Sequence, residues 1–141
     1  MTQLKWWMRI VGGFYLFLAV MSLPSIRANG FLNVFPELAG QQATLAFELL
    51  IDAWVMFGLE LGVIGVMLIL FSRAPFQAFS LVYTIIGLEI VRGIVDDIYM
   101  MMRGYSVGFY LGFITVHLLI IVTGLAFSRQ RAARLKSVGI A

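Results

Sequence analysis

Residues 87–102 read GLEIVRGIVDDIYMMM. The run is greasy enough for a membrane helix, yet it carries Glu89, Arg92, Asp96 and Asp97. A charge at mid-bilayer costs from about 2.5 kcal/mol to over 10, so such groups face a bundle interior, a wet cavity or the interface. Around this stretch the chain is apolar throughout. Of its 141 residues, 62% are hydrophobic and 12% charged, and mean hydropathy is +0.99. Soluble domains carry about twice that share of charge. The composition therefore predicts an all-α integral membrane protein, and the continuous apolar runs argue against an alternating barrel.

A bilayer crossing needs roughly 20 mainly apolar residues. Four runs meet that need, at about 6–23, 43–71, 76–102 and 106–127. Pro24 stops the first run, and residues 24–42 read as one long outer loop. SRAP at 72–75 and RGYS at 103–106 are short turns, which make helices two, three and four antiparallel neighbours in a single-domain four-helix bundle. Seven bases, namely Lys5, Arg9, Arg73, Arg129, Arg131, Arg134 and Lys136, fall on one side, against Arg27 and Arg103 on the other. The positive-inside rule then predicts both termini inside, with 128–141 as a basic cytoplasmic tail. Anionic lipid accounts for that tail, and the net charge of +3 is no nucleic-acid signal. The first run is basic and then apolar, as a signal peptide is, but its nearest small-x-small triplet lies behind Arg27. Cleavage is not expected. With no cysteine, disulfides and thiolate chemistry are excluded. Gly58 with Gly62, and Gly108 with Gly112, sit at spacings that let helix backbones approach, within the bundle or in a homo-oligomer.

Six of the seven acids fall inside the second and third runs: Glu48, Asp52, Glu60, Glu89, Asp96 and Asp97. The lone histidine, His117, is central in the fourth run. From the helix rise of about 1.5 Å per residue, Glu60, Glu89 and His117 form one layer, and Asp52, Arg92 and Asp96 a second, nearer the outside. Glu48, Asp52, Met56 and Glu60 are four apart and share a stripe. Glu89, Arg92 and Asp96, at i, i+3 and i+7, share a face. Asp97 is turned from Asp96 by about 100° and points elsewhere. Tyr110, His117 and Gly124 form a seam on the fourth helix.

One arginine cannot neutralise so many acids. The expected function is an acid-rich pocket inside the membrane that binds a lipophilic small molecule. Its chemistry would be of isomerase, cyclase or hydratase type. Glu60 or Glu89 would supply a proton and His117 would relay it, with Asp52, Arg92 and Asp96 tuning both. Glu48, Tyr110 and Trp54 complete the binding set. A proton-coupled carrier is the first alternative, and a non-catalytic accessory subunit the second. A nitrogen-plus-oxygen set of His117, Glu60 and Glu89 would suit zinc, iron or manganese. No His-x-x-x-His or Glu-x-x-His spacing accompanies it, so neither a metal nor another cofactor is assigned. P-loop, dinucleotide and nucleophile-elbow motifs are absent.

The segments KWWMRIVGGFYLFLAVM, DAWVMFGLELGVIG, GLEIVRGIVDDIYMMMRGY and HLLIIVTG together resemble the BphX-like family of small bacterial membrane proteins, over nearly the whole chain. That family takes its name from a protein encoded among biphenyl-degradation genes. The resemblance implies a bacterial inner membrane and, loosely, a hydrophobic aromatic or isoprenoid-like ligand. It brings no activity with it, so no catalytic residue is carried over.

Overall fold

The structure is a computed structural model, which describes residues 2–34, 38–40, 42–75 and 78–137. Glu37 lies outside them. Every regular element among the described residues is a helix. Six α-helices follow in order: α1 (Thr2–Met21), α2 (Pro24–Val34), α3 (Leu45–Phe71), α4 (Phe79–Leu88), α5 (Asp96–Met102) and α6 (Val107–Ser137). A π-helical turn, Glu89–Val95, joins α4 to α5. Among the described residues, three helices are long and apolar enough to cross a membrane: Gln3–Met21, Leu45–Phe71 and Val107–Gln130. The remaining expected crossing is helical from Phe79 to Met102, but its α-helical hydrogen bonding is interrupted by the π turn, so it is a composite of three pieces.

The expected loop after Pro24 is partly helical. Pro24 stands at the first position of α2, where its missing N–H costs nothing and its fixed φ suits the helix. Ser22, two residues before it, closes α1: both its backbone N–H, at 3.0 Å, and its hydroxyl, at 2.8 Å, donate to the Leu18 carbonyl. Thr44 starts α3 by accepting the Phe47 N–H at its Oγ1, 3.3 Å away. The last helix also exceeds its expected bound, because the basic segment continues α6 as far as Ser137.

The chain divides into two compact units. The first comprises residues 10–70. Within it, small residues let α1 and α3 approach closely. A Cβ on Gly65 would lie 2.7 Å from the Gly12 carbonyl oxygen, and one on Gly12 would lie 2.8 Å from that of Gly65. Gly58 meets Ser22, and Gly62 meets Ala19. At the start of α3, Phe47 and Ile51 form a core with Ala28 and Leu32 of α2, and the Arg27 guanidinium lies 3.8 Å from the centre of the Trp54 ring. We expect Gly65→Ala to lower stability by about 1–3 kcal/mol, the usual range for overpacking, because the obstructing atom is backbone and cannot rotate aside. Thermal unfolding in detergent would measure this. Gly13→Ala, where a Cβ meets nothing within 4 Å, is the matched control.

The second unit contains residues 1–9 and 71–141. Val82, Ile85 and Ile86 of α4 are buried with Ile120 and Ile121 of α6 and with Leu4, Trp7 and Met8 from the start of α1. The Trp7 indole N–H is shared between the Ile120 carbonyl at 3.3 Å and the Thr123 hydroxyl at 3.1 Å. Gly124 makes room for that ring, since a Cβ there would fall 2.8 Å from Trp7 Cζ2. Arg9 Nε donates to the buried Ser72 hydroxyl at 3.1 Å. Gly104 turns the chain from α5 into α6 at φ +91°, a conformation that side chains resist. That turn brings α6 back alongside the π segment and so positions the candidate site.

A candidate proton-transfer site on the pi turn

The site lies in the second unit, where the π turn meets the first half of α6. Glu89 opens the π turn and is buried, with 5% of its surface accessible. Its Oε2 lies 2.5 Å from His117 Nδ1. On the other side of the ring, Asp97 Oδ2 lies 3.5 Å from Nε2. That oxygen is buried and makes no hydrogen bond. The imidazole thus stands between two carboxylates, one at each nitrogen. Its flat face rests on Gly93, where a Cβ would lie 2.5 Å from both Cγ and Nδ1.

Helix geometry explains why Asp97, and not Asp96, faces the histidine. In an α-helix eight residues turn about 800°, leaving Asp97 some 80° off the line of Glu89. A π turn takes in one extra residue, so the same eight advance like seven, about 700°, and Asp97 returns to within roughly 20° of Glu89. The expected face of Glu89, Arg92 and Asp96 consequently does not form. Glu89 is buried, whereas Arg92 and Asp96 are exposed. Asp97, which a strict 3.6-residue period turns away, is buried beside the ring. The available sequence signal was the spacing Glu89, Gly93, Asp97: two acids four residues either side of a glycine.

The other anticipated residues sit elsewhere. Glu48, Asp52 and Glu60 are exposed on α3, and Trp54 is half-buried there beneath Arg27, all in the unit formed by residues 10–70. Tyr110 is on α6, two turns before His117, edge-on to Phe109 at 5.4 Å and to Tyr105 at 6.4 Å between ring centres. Among the described residues, no three His, Asp or Glu side chains are placed to hold a metal ion. At Nδ1 the Glu89 carboxylate takes the position a cation would need.

The chemistry available follows from donor and acceptor counts. A neutral imidazole has one N–H and one lone pair. With a carboxylate at each nitrogen, the lone-pair side would set acceptor against acceptor. A further proton, on the ring or on one carboxyl, completes the set. Glu89 fixes the orientation of the ring, as the acid of a catalytic triad does for its histidine. Nε2 and Asp97 form the side where a proton can be exchanged. Side-chain exposure of 21% for His117 and 10% for Asp97 leaves the ring partly accessible.

Two curated bacterial proteins resemble this chain. One is an uncharacterized BphX-like protein of Burkholderia cepacia, 28% identical over 124 residues that cover 88% of this chain and 89% of the relative. The other, from Paraburkholderia xenovorans (strain LB400), carries the same description and matches with the same identity and coverage. No solved structure matches significantly. The BphX-like family profile matches residues 1–134, a span that takes in the paired carboxylates, the histidine between them and all three long apolar helices, and the chain belongs to that family.

Proposed function

We propose that the protein crosses the bacterial inner membrane four times, with both termini in the cytoplasm, and uses Glu89, His117 and Asp97 as a proton-transfer centre acting on a lipophilic small molecule. The observation that supports this reading most directly is the imidazole held between two carboxylates within an apolar helical unit. His117 takes up or gives a proton at Nε2, Glu89 holds the ring through Nδ1, and Asp97 exchanges the proton with Nε2. Phe109 and Phe113, exposed on α6 two turns and one turn before His117, are 5.0 Å apart between ring centres and offer an apolar approach. Proton-coupled transport is the second reading, favoured by the partial accessibility of a ring engaged at both nitrogens.

Acid–base chemistry on carbon leaves a solvent hydrogen in the product. Purified protein incubated with bacterial lipid extract in deuterated water is expected to place deuterium in at least one apolar species, read by mass spectrometry. Glu89→Gln is expected to lower that rate by up to about 10⁴-fold, as loss of the orienting acid does in a catalytic triad. Wild-type protein that transfers no deuterium would eliminate the enzyme reading. An acid pulse applied to proteoliposomes containing a pH-sensitive dye would then test transport.

A further inference from the structure

We propose that Asp96 and Asp97 are alternative partners of His117, exchanged by movement of the extra residue of the π turn along the helix. This deepens the proton-transfer reading and rests on it for its purpose. The structural exchange itself can be tested separately.

A π turn is a single-residue insertion in an α-helix, intrinsically less favourable than the helix around it. It persists only where something holds it. Here the residues after the wide turn are aligned on His117 through Asp97, whose carboxyl is buried beside Nε2 at 3.5 Å without a hydrogen bond. If the extra residue moves past Asp97 into α5, residues 89–97 become ordinary α-helix. Glu89 and Gly93, at i and i+4, stay within about 40° of one another and keep their places against the ring. Asp97 then turns outward, and Asp96, at i+7, comes to within about 20° of the Glu89 line. The adjacent acids therefore present a carboxyl to Nε2 in either register. This gives a purpose to a second acid that is exposed in the present register.

The exchange carries a proton. Protonated His117 gives its Nε2 proton to Asp97 Oδ2, leaving a neutral imidazole and a neutral carboxyl. The attraction that aligned Asp97 is lost, the extra residue moves on and Asp97 leaves with the proton; Nε2 takes up a fresh proton from water at the accessible side of the ring, and Asp96 arrives ionised to face the imidazolium. The other groups around the ring do not move. Glu89 stays on Nδ1, and α6 itself contributes no second charged side chain within three turns of His117.

The chain has one histidine and three aspartates, Asp52, Asp96 and Asp97, which suits solid-state NMR distance measurement between ring ¹⁵N and aspartate ¹³Cγ. Asn has the shape of a protonated Asp, so Asp97→Asn imitates the state that triggers the exchange. In bilayers, Asp97→Asn is expected to keep a short-range aspartate–imidazole dipolar coupling, now from Asp96. Asp96→Asn/Asp97→Asn is expected to lose it. Deleting Val95 removes the extra residue and aligns position 97 in a plain α-helix, so Asp97→Asn in that background is expected to lose the coupling too. A single Asp97→Asn variant with no more coupling than the double variant overturns the proposal. So does coupling that survives in the deletion background, because Asp96 would then be reaching the ring without any change of register. These outcomes do not depend on turnover: exchange seen without deuterium transfer or proton flux would leave the register change standing and remove the proton-transfer reading.

Discussion

Replacing His117 by alanine is expected to lower stability by about 3–5 kcal/mol, as removal of one member of a buried charged set does. The substitution removes the imidazole that both buried carboxylates, Glu89 and Asp97, face. A folded domain is stable by only about 5–15 kcal/mol, so the variant should be close to unfolding under mild conditions. Titration of detergent-solubilised protein with a denaturing surfactant, followed by circular dichroism, would measure the loss. The same argument predicts a rescue. Glu89→Leu/Asp97→Leu/His117→Leu removes every member of the set at once, and fully apolar replacements of buried ionic groups are often neutral or stabilising. That triple variant should recover most of the stability while having no acid–base activity. An alanine variant within about 1 kcal/mol of wild type, the range of exposed ion pairs, would mean that the imidazole does not hold the two carboxylates together.

Gly93→Ala acts on the same ring from its face. The added methyl carbon would lie 2.5 Å from Cγ and Nδ1 and 2.8 Å from Cδ2. An imidazole cannot bend. It must tilt or slide, and either movement draws Nδ1 away from Glu89. Overpacking of this kind costs about 1–3 kcal/mol. The functional loss should be larger than that stability change suggests, since a displacement of about 1 Å at a reacting group can cost around 10²-fold in rate. Gly87→Ala is the contrasting variant. Position 87 lies on the same continuous helical stretch, where a Cβ meets nothing within 4 Å. Alanine is a better helix former than glycine by about 1 kcal/mol, so Gly87→Ala should be neutral or stabilising with activity intact. Equal behaviour of the two variants would remove Gly93 as the support of the ring.

The helices were legible in the sequence because a long apolar run has few other outcomes. The start of α3 at Leu45 and its end at Phe71 fall within two residues of the bounds suggested by hydropathy and the SRAP turn. Helix α2 was hidden because Pro24, Asn29 and Gly30 all read as chain breakers. Proline at a first helical position is compatible with the helix, and Ala28 and Leu32 gain contacts on α3 that no local pattern displays. Depth, through rise per residue, put Glu89 in the same expected layer as His117, but it put Glu60 there too and could not choose between the two acids. The choice of Asp97 over Asp96 was not legible either. Any argument from a constant angle per residue accumulates an error of about 100° across an inserted residue, enough to exchange neighbouring side chains between inside and outside. Gly93 between the two acids was the one local mark of the close approach.

Helix α6 is longer than any membrane requires. Its 31 residues measure about 46 Å along the axis, against roughly 30 Å of hydrocarbon. In the four-crossing arrangement proposed above, about 16 Å of stiff post would stand clear of the lipid tails, built from the same unbroken backbone that carries His117. A tilt or rotation of the ring-bearing segment would be amplified at its tip as by a lever, so that an event deep in the bilayer could be read from the aqueous side.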